Sequence, residues 1–257
     1  FMRGIKILVL RFWGILPLVL SVFSSLESQA QKGNVINLLE FKYGFHMPMG
    51  DLQDRFGSNS DIGLSIQSVS LKNKIFFGVD GIFIFGNVVK EDVLHQLRTY
   101  DGNIIGIDGI FGDVNLKERG FYIGLNAGKI FPTTQHKNKL TGIRAQIGGG
   151  LLQHKIRVQD NTENIVGLEK KYLQGYDRLT NGPAMHLGLG YQYQSPTNNF
   201  HFHIMADLYG ARTESRRDLD YATGTYLDQK RTELLGGFSL AYTVSISREK
   251  RSENIYY

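Results

Sequence analysis

The chain has 257 residues, of which 42% are hydrophobic and 21% charged, with 29 Lys and Arg against 24 Asp and Glu. It contains no Cys, which excludes a disulfide scaffold, a thiolate metal site, a thiol nucleophile and a cysteine-linked lipid anchor. The composition is too apolar for a disordered chain, and a mean hydropathy of -0.20 is too low for a bundle of membrane helices. The length suits one large all-β domain.

Residues 1–30 have the pattern of a secretory signal peptide. Three basic residues precede a mostly apolar stretch at 12–23, and Ser28-Gln29-Ala30 places small residues where a signal peptidase cleaves. The apolar stretch spans only about 18 Å as a helix, against a hydrocarbon core of about 30 Å, which disfavours a membrane anchor. We expect an exported barrel domain of residues 31–257. Its net charge of +3, from 26 basic and 23 acidic residues, gives no basis for nucleic-acid binding.

After residue 30, apolar residues alternate with polar residues or glycine, the period-two pattern of a β-strand. The pattern predicts eight strands, at about residues 35–46, 60–71, 75–86, 120–131, 141–157, 184–194, 200–212 and 233–247. Each is at least as long as the nine to eleven or so residues that a tilted strand needs to cross a bilayer. The polar faces are rich in Gly, Gln, His and Ser, and aromatic residues flank the apolar faces. These features favour a membrane barrel over a soluble sandwich.

The connections between the predicted strands alternate in length. The first, third, fifth and seventh contain 13, 33, 26 and 20 residues, and the others are short. This alternation predicts an all-β fold, an eight-stranded antiparallel up-and-down transmembrane β-barrel with long external loops. A rival count makes 104–115 a ninth strand with its turn at 117–120, which leaves an odd number of strands. We interpret 104–115 as a hairpin arm of the second external loop, preceded by a short amphipathic helix through Val93, Leu94 and Leu97.

The interior of an eight-stranded barrel is filled by its own side chains, so no open pore is expected. The strand phase directs eleven polar residues into this lumen: Glu40, Lys42, Asp80, Asn126, Arg144, Gln146, His186, Gln192, His201, His203 and Asp207. Buried charges need partners, and the three acidic residues have candidates in Lys42 and Arg144. The favoured interpretation is a packed structural network that binds no cofactor.

The alternative interpretation is that the polar residues of the lumen bind a metal ion or catalyse a reaction. His201 and His203 project from one strand face and are weak candidates for a shared metal ion, with no supporting motif. Asp207 or His186 would be the third ligand. Outer-membrane enzymes that act on lipid A or phospholipid use Ser and His on such barrels, and Ser239 or Ser245, near His203, would supply the serine. Because no Gly-x-Ser-x-Gly motif is present, we expect no catalytic residues and no enzymatic activity.

Glycines and loop charges have simpler interpretations than ligand binding. The segment 124–129 does not have the spacing of a phosphate loop, and its glycines fit a tight lumen. Gly148-Gly149-Gly150 predicts a bulge or sharp bend in the fifth strand. The charged triplets 90–92 and 216–218 are interpreted as solvated loop residues.

The four predicted external loops contain 92 residues, more than closing the barrel requires, and long loops of this kind are usually functional or disordered. Residues 172–183 mix aromatic, aliphatic and charged residues with turn formers, the composition of a folded contact surface. The candidate partner-contact residues are Tyr172, Tyr176, Asp177, Arg178 and Leu179. The alternative is that this segment packs on the rim of its own barrel.

Several short stretches resemble small outer-membrane β-barrel proteins of the Bacteroidota. They are LEFKYG (39–44), DRFG (54–57), FIFG (83–86), ERGF (118–121), LQHKI (152–156) and GYDRLT (175–180). The resemblance covers most of residues 31–257. It implies a PorG-like accessory barrel of a protein-secretion or outer-membrane assembly machine in a Gram-negative bacterium. Such a barrel would contact outer-membrane lipid and protein partners, and the resemblance implies no enzymatic reaction.

The expected function is therefore a closed barrel that docks protein partners in an envelope complex. An enzyme acting on lipid A or phospholipid and a barrel that conducts ions or small ligands are the alternatives. The terminal aromatic residues of 254–257 resemble the signal read by barrel-insertion machinery, or belong to a periplasmic tail that contacts a partner.

Overall fold

The computed structural model of the protein describes residues 35–133, 140–162, 164–169, 172–195, 201–226 and 230–246. The predicted signal peptide and the segment 254–257 lie outside these residues. The described part contains ten strands: β1 (Val35–Gly50), β2 (Asn59–Ser70), β3 (Ile75–Gly86), β4 (Ile104–Ile105), β5 (Phe111–Gly112), β6 (Val114–Pro132), β7 (Gly142–Asp160), β8 (Thr180–Gln194), β9 (His201–Ser215) and β10 (Lys230–Ser245). Its three 3₁₀ helices are single turns, at His95–Leu97, Val166–Leu168 and Leu173–Gly175. None of its helices is long and apolar enough to cross a membrane.

Eight of the described strands close into an antiparallel barrel in the order β1-β10-β9-β8-β7-β6-β3-β2. This confirms the predicted fold class. The strand ends that flank residues 51–58, 87–113, 161–179 and 216–229 lie at one end of the barrel, here called the long-loop end. The connections at the short-turn end are 71–74, 133–141 and 195–200.

Several strands extend further toward the long-loop end than the sequence pattern predicts. β6 begins at Val114 and not near residue 120, and β7 continues to Asp160. In this extension Arg119 pairs with Lys155 and Lys117 pairs with Arg157. The backbone ladder of β6 continues there although its outward side chains are no longer apolar, so hydrophobic alternation alone places the start of this strand too late in the chain.

The segment 104–115 is divided between a small hairpin and the start of β6. β4 and β5 pair through Ile104 with Gly112 and Ile105 with Phe111, outside the barrel. The predicted hairpin arm is therefore present, and the rival turn at 117–120 is excluded because these residues lie within β6. The predicted amphipathic helix is reduced to the 3₁₀ turn His95–Leu97.

Gly148-Gly149-Gly150 does not form the predicted bulge. The three glycines pair in unbroken register with Asn126, Leu125 and Gly124 of β6. Inside the barrel, a Cβ on Gly124 would come within 2.3 Å of the Tyr122 hydroxyl. Glycine at 124 therefore leaves room for the Tyr122 ring, which agrees with the prediction of a tight lumen.

The lumen is closed by buried apolar side chains at both ends of the described barrel. Leu38, Val69, Phe76, Ile130 and Leu140 form a cluster at the short-turn end. At the long-loop end, another cluster combines residues of the barrel wall with loop residues, among them Leu52, Phe56, Val93 and Leu94, these four 0% exposed. Polar residues of the lumen contact both clusters: Arg144 lies over Phe76, and His186 stacks on Tyr209.

The outer surface of the barrel is apolar around its whole circumference. Each of the eight barrel strands contributes large hydrophobic side chains that are at least 40% exposed. Examples are Phe41, Phe45, Leu64, Phe83, Phe121, Ile123, Ile147, Leu187, Ile204, Phe238 and Leu240. We call this ring of outward side chains the apolar belt.

Candidate functional site

Arg144 is the centre of one polar layer of the lumen. It is 1% exposed, and its guanidinium donates to Glu40 at 2.9 Å, Gln192 at 2.9 Å and Gln67 at 2.7 Å. The Gln67 amide donates in turn to Glu40 at 2.8 Å. The guanidinium carbon lies 4.2 Å from the centre of the Phe76 ring. The expected pairing of Arg144 with Glu40 is therefore present, within a network that uses most of the donors of the guanidinium.

Asp207 is the centre of a second polar group. Its carboxylate lies 3.2 Å from Lys42 Nζ and 2.7 Å from His186 Nε2, and it accepts a hydrogen bond from the Ser239 hydroxyl. Lys42 also donates to the Tyr209 hydroxyl at 3.0 Å. The Tyr209 ring stacks on His186 with centroids 4.1 Å apart. These contacts fix the side chains in place, as a structural network requires.

The other predicted lumen residues lie around these two groups. Gln146 is 3.3 Å from the Arg144 guanidinium, while Asn126 and His201 are buried on the lumen side of their strands. Asp80 forms neither of the ion pairs expected for it; instead it lines a cavity of about 20 Å³. A cavity of this size holds roughly one water molecule.

The weak metal candidates His201 and His203 are not joined by the further ligands considered for them. His203 is 3.9 Å from Glu40 and His186 is 2.7 Å from Asp207, so the two histidines lie in different polar groups. No group of three or more metal-ligating side chains occurs among the residues that the structure describes. His201 and His203 share a strand face, as predicted, but without a third ligand.

Ser239 does not have the geometry of an activated nucleophile. Its hydroxyl donates to Asp207, and His186 contacts the other oxygen of the same carboxylate. In a catalytic triad the histidine lies between the serine and the acid, where it takes the serine proton. Here the acid lies between the other two residues, and Ser239 itself is 3% exposed.

A further polar layer, which the sequence analysis did not identify, lies toward the long-loop end. His46 Nδ1 is 2.8 Å from Asp61, and His154 Nδ1 is 2.9 Å from Glu118. Asn59 also donates to Glu118, at 3.0 Å. The alternation of inward and outward residues along the strands assigns His46, Asp61 and His154 to the lumen, so these three residues could have been predicted from the sequence. Glu118 was missed because the predicted strand begins two residues after it.

The loops at the long-loop end are joined by a buried ion-pair network, here called the cap. Arg55 is 2% exposed and contacts Glu91 at 3.2 Å and the backbone carbonyl of Arg178 at 2.7 Å. The Arg178 guanidinium reaches Glu91 at 3.1 Å and Asp220 at 2.8 Å. Burial lowers the pKa of Arg55. Four segments far apart in the sequence are held together by these contacts.

The triplets 90–92 and 216–218 are solvated as predicted at Lys90, Asp92, Arg216 and Asp218, whereas Glu91 and Arg217 are partly buried in ion pairs. Glu91 bridges the two arginines of the cap. Asp92 accepts a hydrogen bond from the backbone of Leu94 and pairs with Arg98 at 2.6 Å. Arg217 forms a two-point contact with Asp177, at 2.5 and 2.8 Å, and this hydrogen bonding raises the pKa of Arg217.

Most of the predicted partner-contact residues pack against the protein itself. Tyr176 is 8% and Arg178 9% exposed, and Asp177 is occupied by Arg217. Burial raises the pKa of the Tyr176 hydroxyl. Leu179 is half-buried, and only Tyr172 reaches 37% exposure. The alternative considered above, packing on the barrel rim, therefore describes this segment better than a free contact surface.

A group of exposed apolar loop residues lies on the hairpin of β4 and β5 instead. Ile105, Ile107, Ile110 and Phe111 are between 51% and 75% exposed. The hairpin is anchored, since Ile104 is buried and the backbone of Ile107 donates to the carbonyl of Asn164 at 2.9 Å. The pattern of four apolar residues around a glycine turn was visible in the sequence, but its exposure was not.

No protein-family model matches the chain, and no curated protein sequence matches it. Among solved structures, Neisserial surface protein A (NspA) is similar over 81% of this chain and 96% of its own, with 13% sequence identity and a TM-score of 0.41. Ail, the attachment invasion locus protein of Yersinia pestis, is similar over 82% of this chain and 98% of its own, with 11% identity and a TM-score of 0.37. The barrel of the present chain is established by its own strand pairing.

Proposed function

We propose that the protein is a closed, non-catalytic outer-membrane β-barrel that docks a protein partner in an envelope complex of a Gram-negative bacterium. The observation that carries the docking proposal is the anchored apolar hairpin of β4 and β5, which projects beyond the barrel. The resemblance of the six sequence stretches to PorG-like accessory barrels supports the same role.

The apolar belt supports the membrane part of the proposal. A soluble monomer rarely exposes a contiguous apolar patch of more than a few hundred Å², whereas the belt encircles all eight barrel strands. A closed barrel satisfies its backbone hydrogen bonds internally, which allows lipid to cover this surface. Export through the predicted signal peptide of residues 1–30 would bring such a barrel to the outer membrane.

A closed lumen favours a structural role over transport or catalysis. Buried apolar clusters close both ends of the described barrel, and its polar residues are held in fixed networks. Conduction needs a continuous aqueous path, and a nucleophile needs access to its substrate. Ser239 is 3% exposed, and its hydroxyl donates to Asp207 and not to a histidine.

The hairpin has the properties of a protein-docking surface. Exposed Ile and Phe side chains on a rigid support lose little conformational entropy on binding. The segment from Thr99 to Leu116 contains Asp101, Asp108 and Asp113 but no basic residue. The partner surface is therefore expected to be apolar at its centre and basic at its rim.

The docking role is tested by photo-cross-linking in intact cells at native expression. A photo-reactive amino acid at position 107 or 111 is expected to form an adduct with one defined protein. The matched control is position 226, because Tyr226 is 82% exposed on a different loop. The same adducts from position 226, or none from 107 and 111, would contradict docking through the hairpin.

A surface variant separates binding from folding. Ile107→Asp places a charge at the centre of the exposed hairpin and leaves the buried Ile104 in place. We expect the amount of folded barrel to stay constant while the partner recovered in mild detergent falls at least tenfold. Unchanged recovery of the partner would argue against the hairpin as the docking surface.

A further inference from the structure

Four basic side chains form a compact group on the outward face of β6 and β7. Arg119 pairs across the strands with Lys155, and Lys117 pairs with Arg157. All four alternate with buried residues and therefore point away from the lumen. The next outward residue along β6 is Phe121, which is 41% exposed and belongs to the apolar belt. We call these four residues the basic patch.

The side chains of the basic patch form no ion pair with the described acidic residues. Lys117 donates to Gln159 at 3.2 Å, and Arg119 donates to the backbone carbonyl of Glu118 at 2.5 Å. None of the ion pairs among the described side chains includes any of the four residues. Like charges opposite each other on a sheet destabilise it. An anion bound between them would remove this repulsion.

The opposite side of the barrel has no such group. On β1, the outward residues between Phe45 and the strand end are Met47 and Met49. On the neighbouring β10, Gly236 and Leu234 occupy the paired positions. The patch is thus a local feature of β6 and β7 and not a ring around the barrel.

We propose that the basic patch binds the phosphate-bearing head group of an anionic lipid in the leaflet at the long-loop end. This inference rests on the proposed membrane location. A bilayer covering the apolar belt places its head groups where the belt ends, beside Arg119 and Lys155. Guanidinium groups bind phosphate oxygens at two points, and clusters of basic residues next to a membrane-spanning segment attract anionic lipids. The acyl chains of the same lipid would lie along Phe121 and Ile123.

The experiment measures which lipid lies beside each face of the full-length protein reconstituted in bilayers. The single tryptophan of the chain, Trp13, is replaced by Phe. One reporter tryptophan is then introduced by Phe121→Trp, next to the basic patch. The matched control is Phe45→Trp on the opposite side, where Phe45 is 47% exposed. Quenching by dibrominated phosphatidic acid is compared with quenching by dibrominated phosphatidylcholine.

We expect the position-121 reporter to prefer phosphatidic acid by roughly fivefold or more, a preference that falls with salt, and the position-45 reporter to show none. Replacing Arg119, Lys155 and Arg157 together with Gln should abolish the preference while the bromolipids still quench. Equal preference at both reporters, or a preference that survives the triple substitution, would overturn the proposal. Failure of both lipids to quench either reporter would instead contradict the membrane location, so the two failures are distinguishable.

Discussion

Replacing Arg144 with methionine tests whether the lumen network stabilises the barrel. Methionine keeps much of the side-chain volume over Phe76, which lies 4.2 Å from the guanidinium, but removes every donor of the network. Glu40 would remain 3% exposed with Gln67 as its remaining donor from this network. Breaking a buried ion pair by removing one partner costs about 3–5 kcal/mol.

The change is measured by urea unfolding of the reconstituted protein. With a slope of about 2 kcal/mol per molar urea, Arg144→Met should lower the midpoint by about 2 M. Adding Glu40→Gln should recover at least half of the loss, because the second substitution removes the uncompensated charge. The matched control is Lys72→Met in an exposed turn, which should change the free energy of unfolding by less than about 0.5 kcal/mol.

Two outcomes would refute this account of the lumen. A loss below about 1 kcal/mol for Arg144→Met would mean that the network contributes no more than a surface contact. A double variant as unstable as Arg144→Met alone would mean that the uncompensated Glu40 charge is not the cause of the loss.

Three further predictions concern the lumen, the cap and conduction. Gly124→Ala should cost about 1–3 kcal/mol in urea unfolding because its Cβ would meet the Tyr122 hydroxyl, whereas Gly81→Ala, with its nearest atom at 3.9 Å, should be neutral. The packing argument would be contradicted if both substitutions were strongly destabilising, or if neither were. Glu91→Gln should lower the free energy of opening the cap by about 1 kcal/mol and speed proteolysis of residues 87–113 about fivefold. Asp101→Asn, at an exposed position, should leave the rate of proteolysis unchanged. The purified protein should show no discrete conductance in planar bilayers; regular single-channel steps would contradict a closed lumen.

The barrel was predictable because its signals are local and periodic. In β9 every second residue faces the lumen, so His201, His203 and Asp207 were placed correctly from alternation alone. The same rule placed Arg144 and Glu40 on the lumen side, and a preference for paired buried charge then suggested their contact. The predicted start of β6 was too late in the chain because its outward residues Lys117 and Arg119 are basic and not apolar.

The cap was not predictable because its contacts join distant segments without a period. Arg55 meets residue 178 across 123 positions of sequence, and nothing in either segment indicates the other. Glu91 therefore looked like an ordinary solvated charge. The composition of 172–183 was read as a contact surface, although the same aromatic and charged residues pack equally well against a rim. Composition does not distinguish these two environments.

The central claim, that lipid covers the apolar belt, is tested most directly by spin-label accessibility. Because the chain has no Cys, single cysteines at positions 187, 204 and 240 each carry one nitroxide. In reconstituted bilayers, all three labels should be accessible to oxygen and protected from a water-soluble nickel chelate. Labels at positions 101 and 226, on exposed loop residues, should show the reverse. Ready access of the chelate to positions 187, 204 and 240 would contradict a membrane-spanning barrel.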